Sequence, residues 1–262
     1  MIVVPFATFA GDNGAPLVFL HGIGGGPDLW RAQFAAFGSA HRCIAWEMPG
    51  YGHTAMMPET TFPALAEALA RLMDRAAAPS AHVVGHSMGG MVALEFAARF
   101  PARVLSLVLS GSSAAFGGST GAWQEEFIAK RTRPLDEGKG MAGIAPGVVD
   151  GLLGDQPDAA ARAAAIAAMS AIPEAAYRAA LKCLVTFDRR DALAGLKMPV
   201  LLLVGQRDTV APPELMKRMQ AKIPGALYVE LPKAGHLANI EQPQAFNAAL
   251  GAFLAAQAKA AA

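Results

Sequence analysis

Ala81-His82-Val83-Val84-Gly85-His86-Ser87-Met88-Gly89-Gly90 is the stretch on which the fold turns. Ala81 to Val84 has strand character and runs without a spacer into Gly-x-Ser-x-Gly, and an apolar stretch of helical period, Ser87 to Arg99, begins at once. A serine on so sharp a strand-to-helix turn takes strained backbone angles. Its neighbours two residues to either side must then be small enough for strand and helix to approach, and Gly85 and Gly89 meet that need. The turn lifts the Ser87 hydroxyl above the sheet edge while the helix start aims backbone N–H groups at it. A lone Gly-x-Ser-x-Gly arises by chance; strand before and helix after make Ser87 a candidate nucleophile.

Outward from this turn, short apolar runs ending in loops alternate with Ala- and Leu-rich helical stretches, the pattern of an α/β protein with a mainly parallel sheet covered on both faces. Ile2 to Phe9 reads as an edge strand; Pro16 to Leu20, Arg42 to Trp46, Val104 to Leu109, Pro199 to Val204 and Ala226 to Leu231 read as further strands. Helices are expected over Thr61 to Ala77, Pro213 to Ala221 and about Pro243 to Ala255, with the Ala-rich tail from Ala255 to Ala262 fraying. Between Ser112 and Arg190 the alternation stops. Gly117-Gly118 and Gly138-Lys139-Gly140 mark loops, and Ala159 to Ala171 and Glu174 to Val185 mark helices. An insertion of that length between sheet strands is expected to sit over one end of the sheet as a lid. The expected organisation is thus a core of residues 1–111 and 191–262 with a helical insertion at 112–190.

With 262 residues, 53% hydrophobic and 16% charged, the chain can bury a large single core. A net charge of +1 without charge blocks leaves no footprint for nucleic acid or an anionic membrane. The first residues lack the basic start and cleavage site of a secretory signal. The apolar runs fall short of the roughly 20 residues that cross a bilayer. Cys43 and Cys183 are too few for a disulfide framework and lack metal-ligand spacing. A cytoplasmic enzyme, monomeric or homodimeric, is the expectation.

A serine hydroxyl needs a histidine base oriented by a carboxylate. In this architecture both lie downstream, in loops after late strands. Asp208 follows Val200 to Val204 in Gly205-Gln206-Arg207-Asp208, and His236 follows the next strand in Ala234-Gly235-His236. No acid follows Val104 to Leu109, where Ser110-Gly111-Ser112-Ser113 stands; Asp188 and Asp191 precede their strand and read as capping or surface charges. Glu241 reads as a border to the last helix. His21 and His86 read as structural donors, His41 and His82 lack a carboxylate-bearing loop in register, and His53 is a secondary candidate for substrate contact. Acyl transfer also needs donors for the developing oxyanion. The N–H of Met88 is one by position, and the loop His21-Gly22-Ile23-Gly24-Gly25-Gly26 supplies the other, from Ile23 or, second, Gly24. The same loop has Pro27 where a dinucleotide fold has its last glycine, and no Lys-Ser/Thr follows, which argues against phosphate binding.

The blocks Leu20-His21-Gly22, Met48-Pro49-Gly50-Tyr51-Gly52, Gly85-His86-Ser87-Met88-Gly89-Gly90, Gly205-Gln206-Arg207-Asp208 and Gly235-His236 stand in the order of the α/β-hydrolase superfamily, which the chain resembles over nearly its whole length. Within it, Ala234 to Pro243 with Asp208 to Pro213 resembles the 3-oxoadipate enol-lactonase group. The resemblance implies a mostly parallel eight-stranded sheet flanked by helices, a lid insertion, and a Ser87-His236-Asp208 triad with neither metal nor cofactor. Glu47 departs from the Asp usual before the Pro-Gly turn. Serine at position 87 disfavours the dehalogenases and epoxide hydrolases that attack through a carboxylate.

The expected reaction is hydrolysis of a small ester or lactone. A carbon–carbon hydrolase acting on a ring-cleavage diketone, or a non-catalytic small-molecule receptor on the same fold, are the alternatives. For the substrate pocket the candidates are Trp123, Phe127, Gly22 and several methionines; Lys130, Arg131 and Arg133 are candidates to attract a substrate carboxylate, and a solvated helix face explains those three charges equally well.

Overall fold

A computed structural model describes residues 2–116, 121–155 and 157–261. The Gly117-Gly118 loop lies outside these. The strands are β1 (Ala7–Ala10), β2 (Pro16–Leu20), β3 (Arg42–Trp46), β4 (Ala81–His86), β5 (Val104–Ser110), β6 (Val200–Gly205) and β7 (Leu227–Leu231). They form one sheet in the order β1-β3-β2-β4-β5-β6-β7, antiparallel between β1 and β3 and parallel elsewhere.

The eight-strand expectation is corrected to seven among the described residues. The strand expected from Ile2 begins only at Ala7. Pro5 has no N–H to give a ladder, and the Val3 and Pro5 carbonyls are taken instead by the side chains of Arg71 and Arg75.

Ten helices accompany the sheet among the described residues. α1 (Arg31–Phe37), α2 (Phe62–Arg75), α3 (Met88–Arg99), α8 (Pro213–Gln220), the single turn α9 (Ala238–Glu241) and α10 (Pro243–Ala261) belong to the strand-helix alternation. α4 (Gly121–Asp136), α5 (Gly140–Asp150), α6 (Ala159–Ser170) and α7 (Glu174–Leu184) fill the insertion. Thr61 caps α2, its hydroxyl accepting from the Ala64 N–H at 3.3 Å. The alanine-rich tail does not stop at Ala255: α10 runs on to Ala261, as alanine's helix propensity favours.

Alternate residues of each strand face opposite layers. Val18, Ile44, Val83, Leu107 and Leu202 pack against α2, α3 and α8, while Leu17, Cys43, Val84, Val108 and Leu201 pack against α1 and α10. Burial on both faces explains the unbroken apolar runs of the central strands. From β2 the chain moves outward to β3 through α1 on one face, then returns past β2 to β4 through α2 on the other. The strand order therefore reverses between β2 and β4, and a crevice opens outside their carboxyl ends, where open α/β sheets bind ligands.

Residues 112–190 hold α4 to α7, and one isolated bridge among the described residues, between Ala115 and Asp188, joins their two ends. Phe116 N–H to Phe187 O at 2.9 Å and Arg189 N–H to Ala114 O at 2.7 Å close the same junction. The Arg189 guanidinium pairs with Glu95, a buried carboxylate on α3. No described helix is long and apolar enough to cross a membrane.

Candidate active site

Ser87 sits at the β4–α3 junction with φ 54° and ψ −122°, a conformation that costs on the order of 1 to 3 kcal/mol and is held by its surroundings. Its N–H donates to Ser110 O at 2.9 Å and its carbonyl accepts from the Ser112 hydroxyl at 2.8 Å, so the end of β5 and the loop after it grip the turn from both sides. A Cβ on Gly85 would stand 2.4 Å from the Gly89 carbonyl oxygen, and one on Gly89 would stand 2.2 Å from that of Leu20. Only hydrogen fits at either place.

Asp208, in the loop after β6, and His236, in the loop after β7, meet beside this turn. His236 Nδ1 donates to Asp208 Oδ2 at 2.8 Å, and the other carboxylate oxygen accepts the Val210 and Ala211 N–H groups, each at 2.8 Å. Burial alone would raise the Asp208 pKa; the His236 hydrogen bond and charge, with these two N–H groups, outweigh it and hold the carboxyl below its ordinary range. Gly111 makes room for the pair: a Cβ there would come within 3.0 Å of Asp208 Oδ2 and 3.2 Å of His236 Nδ1.

Ser87 and His236 open into one cavity of about 1140 Å³, counted out to its mouth. Ile23 and Gly22 line it from the β2 side. A Cβ on Gly22 would lie 2.9 Å from that of Ser87, so Gly22 lets this loop approach Ser87 closely. Met88 opens α3, where the first N–H groups of a helix have no partner within it. The Ile23 loop is braced by two side chains. Tyr51 donates to Ile23 O at 2.8 Å; His21 Nδ1 donates to Gly22 O at 2.8 Å while its Nε2 accepts the Met48 N–H at 3.2 Å. Burial pushes His21 down to about 4, which keeps it in this neutral form. His86 Nε2 donates to the His236 carbonyl at 2.8 Å, and burial, with His236 nearby, pushes its pKa down to about 3.

Trp123 and Phe127 part company. Phe127 lines the cavity, whereas Trp123 stacks on its outer side with ring centroids 5.4 Å apart, half-exposed, and lines only a shallow surface depression. Of the three basic candidates on α4, Arg131 reaches the cavity, Lys130 only the depression, and Arg133 neither. His53 is also outside: it is exposed and bonds to Glu47, whose carboxylate accepts the His53 N–H at 2.7 Å. His41 and His82 stack away from the cavity, His82 Nδ1 lying 2.7 Å from Ser106 Oγ. Asp188 pairs with Arg190, and Asp191 is exposed at the protein surface, as charges outside the site. Both cysteines are buried thiols, pushed up by burial to about 11 at Cys43 and about 12 at Cys183.

Three residues with a place in the site escaped sequence reasoning. Tyr51 stands in the Pro49-Gly50 turn, where the sequence gives it no role, Tyr177 interrupts an otherwise small and apolar buried face of α7, and Glu241 reads in sequence only as a helix border. A lone tyrosine on an apolar stripe and a carboxylate between Ile240 and Pro243 were the available signals.

The family model for the α/β-hydrolase fold matches residues 15–243. The chain is 28% identical to 3-oxoadipate enol-lactonase 1 of Acinetobacter baylyi over 90% of its own length and 86% of that enzyme's. It is 30% identical to the pimeloyl-[acyl-carrier protein] methyl ester esterase of Aeromonas hydrophila over 89% of its own length and 93% of that enzyme's. A malate-bound thermophilic esterase from Thermogutta terrifontis superposes with a TM-score of 0.87 at 27% identity, over 97% of this chain and 94% of that one. With a strand order that reverses at β2 and β4, and a family match that spans most of its length, the chain belongs to the α/β-hydrolase fold family.

Proposed function

We propose that this chain is a serine hydrolase that cleaves a small ester or lactone through an acyl-enzyme. One observation carries the reading: Ser87, held at φ 54°, opens into the same cavity as His236, whose Nδ1 is bound to the buried Asp208 carboxylate. Esterases and a lactonase among the relatives support the same bond type.

In this reading His236 Nε2 takes the Ser87 proton as Oγ attacks the substrate carbonyl. The Met88 and Ile23 N–H groups receive the oxyanion. His236 passes the proton to the departing alcohol or enol oxygen, leaving the acyl group on Ser87. Water then attacks that ester, His236 accepting its proton and returning it to Ser87 as the acid leaves. Asp208 holds His236 in the tautomer with Nδ1 protonated and stabilises the imidazolium. These steps call on no metal or organic cofactor. Residues 112–190 act as the lid, contributing Phe127, Met169, Tyr177 and Leu181 to the cavity wall.

The test is hydrolysis of p-nitrophenyl acetate and an enol-lactone by the wild type and Ser87→Ala, with fluorophosphonate labelling followed by peptide mass spectrometry. The expected outcome is a label on Ser87 and a loss of kcat of about 10⁴-fold or more in the variant. Full activity in Ser87→Ala, or a folded protein that the probe does not label, would overturn the proposal.

A further inference from the structure

We propose that the Arg131 guanidinium, stacked on Phe127, and the Tyr177 hydroxyl form an anion subsite in the cavity wall, which takes the carboxylate of a substrate whose ester or lactone carbonyl lies at Ser87. The inference rests on the hydrolase reading above and names the substrate class for that site.

Three observations converge on these side chains. First, the cavity wall is mostly aliphatic and aromatic, and among its described lining residues Arg131 is the single permanent charge. No carboxylate lines the cavity to neutralise it, and the ionisable group that bears on Arg131 is Tyr177, not an acid. Two other arginines of the insertion are taken up by acids: Arg162 is held by Asp150 at 2.6 Å, and Arg178 by Asp136 and Glu174 at 2.6 and 2.7 Å. An arginine at a binding cavity without a protein acid leaves its charge available to a ligand.

Second, the guanidinium is already oriented. Its central carbon lies 3.5 Å from the centroid of the Phe127 ring, one helical turn back on α4. Phe127 is itself wedged against Phe116 and Trp123, with centroids 5.0 and 5.4 Å away. Stacking occupies the flat face of a guanidinium and leaves the N–H edges, which are the groups that grip a carboxylate in bidentate fashion. The stack pre-orients the guanidinium of a residue that is otherwise exposed, so part of the ordering an anion would impose is already made.

Third, Tyr177 on α7 is buried to 3% exposure and lines the cavity, yet its hydroxyl makes no hydrogen bond to any of the described residues. Burial pushes its pKa up, with Arg131 opposing, so the phenol keeps its proton and can donate. Arg131 and Tyr177 come from different helices of the insertion and converge on the same wall. A carboxylate there would meet one cationic fork and one neutral donor. A neutral acyl chain would leave both unmet, which makes the subsite selective as well as attractive.

The experiment pairs p-nitrophenyl monoesters of succinate, glutarate and adipate with p-nitrophenyl butanoate, pentanoate and hexanoate, so that each pair differs by a terminal carboxylate. The expected result is that the wild type favours the carboxylate partner at one chain length or more. Its kcat/KM ratio over the neutral partner should fall roughly 10- to 100-fold in Arg131→Met, the range of a lost charge-assisted hydrogen bond. Tyr177→Phe should lower the ratio less, and Arg131→Lys should restore part of it. In a Ser87→Ala background, calorimetric titration with adipate and glutarate reads binding without turnover, and Arg131→Met should abolish it.

Hydrolysis that depends on Ser87 while the ratio is unmoved by Arg131→Met would overturn the subsite and leave the hydrolase reading standing. Adipate or glutarate binding that depends on Arg131, in a protein that hydrolyses none of the esters, would do the reverse. A wild type that prefers the neutral ester at every length also overturns the subsite. Should Arg131→Met fail to fold, Arg131→Lys and Tyr177→Phe carry the same comparison.

Discussion

Glu241 makes no bond to a reacting atom in the proposed mechanism, yet its carboxylate holds the backbone on both sides of His236. Oε1 accepts the Gly235 and Leu237 N–H groups at 3.0 and 3.1 Å, and Oε2 accepts that of Gly154 in the insertion at 2.6 Å. Burial pushes the Glu241 pKa up against the pull of these three N–H groups. Glu241→Gln replaces one acceptor oxygen by a donor facing an N–H. We expect kcat to fall about tenfold with KM little changed and the stability to drop by about 1 to 3 kcal/mol, as read by steady-state kinetics and urea unfolding. An unchanged kcat would reduce Glu241 to a helix border. His86 supplies a pH prediction. Its folded pKa of about 3 lies below the ordinary value of 6.5, so the unfolded chain binds the proton first, and the contribution of His86 is complete above pH 6.5 and lost as the pH falls from there toward 3. His21, His236 and Asp208 face it, and in His86→Asn they remain. The unfolding free energy of wild type minus that of His86→Asn should therefore shrink by roughly 1 kcal/mol per pH unit between pH 6.5 and 4. A constant difference would mean that the ring is protonated in the folded protein.

At the scale of elements, hydrogen bonds and ion pairs between described residues tie the insertion to the core at its base and at its middle. Its base is closed by the Ala115 and Asp188 bridge and by the ion pair between Arg189 and Glu95. Its middle rests on the His236 loop, where Leu152 O accepts the His236 N–H at 2.7 Å beside the Gly154 contact with Glu241. The segment that walls the cavity thus also touches the backbone of the residue proposed as the base. Glu95→Ala would strand Arg189, whose side chain is 30% exposed, and loosen the base. A loss on the order of 2 kcal/mol is expected, below the fully buried range because solvent reaches the arginine. KM should rise more than kcat falls, since Ser87 and His236 keep their own supports. Equal effects on both constants would show that Glu95 acts on α3 and the Ser87 turn instead. The helices around these contacts were legible at the level of existence: Ala159 to Ala171 and Glu174 to Val185 carry the helical period, and α6 and α7 lie within them. α4 and α5 were less so, because Pro134 and Pro146 stand inside them and glycines crowd their starts. Packing of Leu135, Met141 and Ile144 into the core overrides those local signals.

In the molecule as a whole, the insertion and the sheet share one hydrophobic core. Leu135, Ile144, Tyr177 and Leu181 belong to the same continuous cluster as Leu20, Val83, Met91 and Leu109. Unfolding should accordingly be a single transition, with calorimetry and tryptophan fluorescence giving coincident midpoints; two separated transitions would show that residues 112–190 melt as an independent unit. The α/β alternation, the sharp turn at Ser87 and the chain order of Ser87, Asp208 and His236 are written in the residues alone, because these depend on local periods, small residues at set spacings and loop positions after strands. It takes the folded chain to show that Arg131 faces the cavity while Lys130 and Arg133 do not, that Tyr177 joins it from another helix, and that Glu241 spans the His236 loop and the insertion. The physical reason is that each depends on the relative placement of elements far apart in the chain, which the burial of apolar faces sets and no local pattern records.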